Sequence, residues 1–125
     1  MHGSPFSNKE YLLEDKDENE FLEVFNKSKA TILCFGHTHK PFYRQLKNDT
    51  QTFHAINTGS IGKPKDGNPD GCYSLLTINP KLNPSDENFI KVEFYRFKYD
   101  IQKACKAIEN SILPNELAEM LKKAY

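Results

Sequence analysis

No stretch of this 125-residue sequence approaches the roughly 20 consecutive apolar residues needed to cross a bilayer. The first twenty-one residues, MHGSPFSNKEYLLEDKDENEF, lack a basic start followed by an apolar segment, so they do not read as a secretory signal. Neither sign of charge is in excess: 17 basic side chains balance 17 acidic ones, which argues against a nucleic-acid surface built on bulk charge. Cysteine is scarce, at three residues. Cys34, Cys72 and Cys105 are widely spaced, odd in number and form no C-x-x-C. That pattern fits reduced core thiols in a cytoplasmic protein better than a disulfide framework or a cysteine zinc site. Internal repeats and low-complexity tracts are also absent.

What is present reads as a single domain or fragment over residues 1–125. Acidic residues lead into Phe21, Leu22 and Phe25 at helical spacing, which predicts a helix from about Glu18 to Lys27. Ile32, Leu33, Cys34 and Phe35 predict a short buried strand. FYRQLK and TFHAIN, joined by NDTQ, predict a hairpin. Asn57 to Gly71 is too rich in Gly, Pro, Asn and Asp for anything but a loop. CYSLLTIN and FIKVEFYRF are the clearest strands, and the tail then changes to helical spacing twice, around Ile101–Ile108 and Leu113–Leu121. A mostly antiparallel sheet with helices packed on it is the economical arrangement.

The chemistry is concentrated in TILCFGHTHKPF, Thr31 to Phe42. If extended chain persists past Gly36, His37 and His39 share a face and converge on one place. Imidazole is the commonest protein metal ligand and titrates near neutrality, so such a pair suits a metal site or acid–base work. His54, inside a predicted strand, reads instead as a strand histidine with a satisfied hydrogen bond. The aromatic cluster Phe89, Phe94, Tyr95, Phe97 and Tyr99 reads as sheet core rather than a base-stacking platform.

Four elements occur in order: HG at His2 and Gly3, GHTH at Gly36 to His39, NTGSIGKPKDG at Asn57 to Gly67, and the closing helical segment. In this order they resemble the C-terminal half of the calcineurin-like metallophosphoesterases, in particular small prokaryotic phosphodiesterase-like members. The resemblance implies an α+β fold, half of a four-layer α/β/β/α sandwich. It implies two divalent metal ions per complete site, with manganese, iron, zinc or nickel suiting imidazole ligands. His2 and His37 look like ligands of one ion and His39 of the other. Gly36, Asn57, Gly59, Ser60 and Lys65 look like the bracing or phosphate-loop residues, Asn57 and Ser60 steadying the GHTH turn, with Lys63 or Lys65 placed to meet a phosphate as a point charge. The implied activity is hydrolysis of phosphomonoesters or phosphodiesters by a two-metal-activated hydroxide.

The family's D-x-H, G-D-x and G-N-H/D elements have no counterpart here. The resemblance therefore implies a phosphoesterase half whose parent is an enzyme, and a chain that is inactive alone for want of the other ligands. It also implies self-association through apolar surface exposed where the other half packs. Two other readings stand beside it: a non-catalytic protein-interaction scaffold of the same fold, and a mononuclear zinc site of His2, His37 and His39 with one open position.

Overall fold

Asp17 starts the first helix. Its carboxylate accepts from the Asn19 and Glu20 amides, and Lys29 closes the far end in a left-handed conformation with its N–H on the Phe25 carbonyl. The computed structural model describes residues 1–125, and this helix, α1, spans Glu18–Ser28. At 11 residues it is below the length of about 12–15 at which an isolated helix becomes stable. Its buried face of Phe21, Val24 and Phe25 holds it in place.

That face packs on a three-stranded sheet of β1 (Ile32–Phe35), β2 (Phe42–Lys47) and β3 (Thr52–Asn57). Strand order is β1-β3-β2, with β3 parallel to β1 and antiparallel to β2. Leu33, Phe35, Phe42, Leu46, Phe53 and Ala55 meet Phe21, Val24, Phe25 and Leu12 in one core. These residues alternate along their strands, as side chains on one sheet face must. The β2–β3 hairpin turns at Asn48–Gln51, where the Asn48 side chain accepts from the Thr50 and Gln51 amides.

A second sheet pairs β4 (Gly71–Ile78) with β5 (Ile90–Phe97), antiparallel. The chain then forms α2 (Ile101–Glu109) and α3 (Glu116–Lys123), which share a small cluster of Cys105, Ala118 and Leu121. The Thr52 amide donates to the Ser85 carbonyl and Gln45 Nε2 to the Glu87 carbonyl, so the β4–β5 connection is strapped to the first sheet. No helix is long and apolar enough to cross a membrane.

The α+β class and the mostly antiparallel pairing hold, in two small sheets rather than one and with β1–β3 as the parallel pair. Cys34 is exposed, because only Leu33 and Phe35 of β1 face α1, although all three cysteines are free as thiols. His54 is the strand histidine expected, its Nδ1 hydrogen-bonded to the Tyr43 hydroxyl at 2.9 Å, while Nε2 is buried with no hydrogen bond of good geometry.

Candidate metal-ligand turn

The strand conformation stops at Phe35, before the histidines. His37 and His39 both take left-handed backbone, with φ of 68° and 60°. The Thr38 amide bonds the Gly36 carbonyl at 2.8 Å, closing a three-residue turn about His37 of the rare, strained kind. The two imidazoles are therefore not brought together by alternation on an extended chain. A turn that the surrounding residues hold instead sets both on one cavity. Gly36 is not the corner: it has ordinary backbone, and an added Cβ would meet nothing closer than the His2 carbonyl at 4.0 Å.

Asn57 does most of the holding. It ends β3, is fully buried, and its Nδ2 donates to the Gly36 carbonyl at 3.0 Å and to Thr38 Oγ1 at 2.8 Å. Its Oδ1 accepts from the Gly59 amide at 3.0 Å. Gly59 sits at φ 75°, where a Cβ would come within 3.1 Å of Pro41 and 3.2 Å of Cys72, so both the backbone conformation and the space require glycine. Ser60 acts one step away from the turn: its Oγ accepts from the Lys63 amide at 3.0 Å. The Lys63 carbonyl in turn accepts from His39 Nδ1 at 2.6 Å, and the Lys65 amide bonds the His39 carbonyl.

An Nδ1–H committed to Lys63 leaves His39 Nε2 as the lone-pair nitrogen, the arrangement usual for a metal-binding imidazole. Burial lowers the His39 pKa below its ordinary value. The Lys63 carbonyl opposes this, while the nearby charges of Lys65, Lys63 and His37 lower it further. The shift favours the neutral ring, the form that binds metals.

His2 reaches the same place from the other side of β1. Its carbonyl accepts from the Gly36 amide at 3.0 Å, and its Nε2 lies 2.8 Å from His37 Nδ1. The fold-back after it depends on Gly3, where a Cβ would strike the Ser7 carbonyl at 2.6 Å. His2, His37, His39, Cys34, Thr58 and Ser60 are among the residues lining a shallow cavity of about 330 Å³ that no carboxylate lines. Nowhere do three histidine, cysteine, aspartate or glutamate side chains come together as a set able to hold a metal ion. His2 and His37 form a pair, with His39 on the same cavity but outside it.

Two contributions escaped the sequence reading. Lys63, expected as a point charge for a phosphate, acts on His39 through its backbone carbonyl, which leaves no mark on the sequence. Tyr11 packs against His37 with ring centroids 4.3 Å apart and planes at 32°, yet it lies in an irregular acidic segment with no periodicity to flag it.

No family model matches the sequence. It is 31% identical over 123 residues to the uncharacterized protein MJ0912 of Methanocaldococcus jannaschii, covering 90% of this chain and 44% of that protein. In three dimensions it is similar to a metallophosphoesterase from Sphaerobacter thermophilus, with a TM-score of 0.75 at 24% identity, over 100% of this chain and 55% of the other. It is also similar to the hypothetical protein PH1004 from Pyrococcus horikoshii OT3, with a TM-score of 0.73 at 20% identity, over 97% of this chain and 44% of that one. The chain spans about half the length of the proteins it matches. The coordinates agree with the sequence elements: the chain has the fold of about half of a metallophosphoesterase.

Proposed function

We propose that this chain supplies the histidine half of a two-metal phosphoester-hydrolysing site, with His2 and His37 sharing one divalent ion and His39 serving the other. The observation that carries this reading is the 2.8 Å separation of His2 Nε2 and His37 Nδ1. Metal–imidazole bonds of about 2.0–2.1 Å put two neighbouring ligand nitrogens roughly 3.0–3.4 Å apart. An opening of about half an ångström would thus turn this hydrogen-bonded pair into a chelating one. The chemistry of the donors also fits: imidazole suits iron, zinc and nickel better than magnesium or calcium. When bound, two such ions activate water and neutralise charge developing on the phosphoryl oxygens.

The chain's own residues bind and orient. Asn57 fixes the turn, Lys63 sets the His39 tautomer, and Lys65 brings positive charge near His39, where a phosphate oxygen would be attracted. No carboxylate lines the cavity to bridge two ions, so the chain by itself is proposed to bind metal weakly and not to turn over. Titration of the purified chain with Mn²⁺ or Zn²⁺ should show binding that His37→Ala abolishes, and a chromogenic phosphodiester should remain unhydrolysed. Binding indifferent to His37→Ala would refute the ligand assignment, and robust hydrolysis would refute the incomplete site.

A scaffold reading of the same fold draws on a different feature. Tyr73, Leu75 and Tyr95 are exposed on one face of the β4–β5 sheet, with Tyr73 and Tyr95 stacked at 5.4 Å. Contiguous apolar surface of this kind serves association. Sedimentation of the chain as a stable monomer at high concentration would remove self-association from consideration.

A further inference from the structure

His39 is oriented by a hydrogen bond from its Nδ1 to the Lys63 carbonyl at 2.6 Å. His37 has no such acceptor: its ring makes one hydrogen bond, through Nδ1, and that runs to its partner His2. Yet His37 sits at the centre of the turn closed by the Thr38 amide on the Gly36 carbonyl, at φ 68°. What its ring does have is aromatic contact on two sides. His2 meets it edge-on at 4.6 Å with planes at 66°, and Tyr11 lies over it at 4.3 Å with planes at 32°.

Tyr11 is well placed for this. Its neighbour Leu12 is 1% exposed in the core under α1, which pins the backbone and leaves residue 11 on the outer side. A few residues on, Arg44 Nη1 donates to the Glu14 and Lys16 carbonyls and its guanidinium stands 5.6 Å over the Phe21 ring. The segment is thus fastened to β2 and α1 while the Tyr11 side chain, about half exposed at 52%, is used on His37. An exposed tyrosine has no need to stack on an imidazole for burial; offset ring pairs at such distances are favourable in themselves.

We infer that Tyr11 is the positioning residue for His37, its ring face taking the place of the missing hydrogen-bond acceptor and setting the plane in which Nδ1 points toward the ion shared with His2. This rests on the proposal that His2 and His37 share a divalent ion. The test separates the two ideas by having a metal-free arm. With ¹⁵N-labelled histidine, NMR of the metal-free chain should show His2–His37 ring contacts in wild type and in Tyr11→Phe. In Tyr11→Ala those contacts should be lost while the Leu12 methyl and His39 ring signals stay in place. Titration with Zn²⁺ alone should then give affinity within two-fold of wild type for Tyr11→Phe and a loss of about ten-fold or more for Tyr11→Ala, the range usual when a ligand's orienting partner is removed.

Tyr11→Leu keeps the apolar bulk without a planar face, so it should behave as Tyr11→Ala does and serves if the alanine variant does not fold. Unchanged His2–His37 contacts together with unchanged Zn²⁺ affinity in Tyr11→Ala or Tyr11→Leu would overturn the inference. If wild type takes up no Zn²⁺ at His37, the shared-ion proposal fails, and the metal-free ring contacts alone decide the role of Tyr11.

Discussion

Two glycines beside the histidine turn have opposite requirements, and a resemblance by motif treats them alike. Gly36 has ordinary backbone and open space around its missing Cβ, whereas Gly59 combines φ 75° with contacts at 3.1 and 3.2 Å. Gly36→Ala is therefore expected to leave thermal stability within about 0.5 kcal/mol of wild type or to raise it slightly, by restricting the unfolded chain. Gly59→Ala should cost about 1–3 kcal/mol from backbone strain and crowding. Chemical denaturation of both variants checks this, and equal destabilisation would contradict it. The residue types at the site were legible: three histidines, an asparagine and a serine in a fixed order. Their geometry was not, because the sequence was read through the period of an extended strand. One signal was available, since histidine is among the non-glycine residues enriched in left-handed backbone, and His37 and His39 both adopt it.

Helix α1 was legible almost to its ends, because an acidic start and apolar residues at helical spacing agree. The hairpin and the β4–β5 pair were legible for similar reasons, from alternation bounded by turn residues. The insertion of β3 between β1 and β2 was not. Parallel pairing leaves no signature in local sequence, and a short apolar strand such as β1 looks the same whichever neighbour it chooses. Since α1 covers the buried face of this sheet, its anchoring residue should dominate stability. Phe21 has 0% exposure and lies 6.0 Å from the Phe35 ring and 6.2 Å from that of Phe25. Phe21→Ala is expected to cost about 3–5 kcal/mol, measured by urea unfolding. A loss under about 1 kcal/mol would mean that α1 is not held by this core.

Across the whole molecule, the first sheet and the β4–β5 connection meet at a buried titratable group. His54 is fully enclosed, and Nδ1 accepts from the Tyr43 hydroxyl, whose oxygen in turn accepts from Gln45 Nε2. Burial depresses the His54 pKa below its ordinary value, with partial opposition from the carbonyls of Asp86 and Pro84 and the Asp86 charge. The unfolded chain then binds the proton more readily than the folded one. The stability tied to neutral His54 is present above about pH 6.5 and is lost as pH falls through the depressed folded value. Melting temperature should drop between pH 7.5 and pH 5, and calorimetry of His54→Gln should show a shallower drop. Parallel curves for the two proteins would exclude His54 as the source.

The place of β3 between two partners has a kinetic corollary. Its hairpin partner β2 is a few residues away, but pairing with β1 joins Ile32 to His54, so the second pairing closes a longer loop and bears the larger entropic penalty. That loop contains Gly36 to His39, and the asparagine that clamps it sits at the last position of β3. The imidazole geometry is consequently a late product of assembly, defined only when distant segments have docked, and no short peptide cut from around the GHTH motif would carry it.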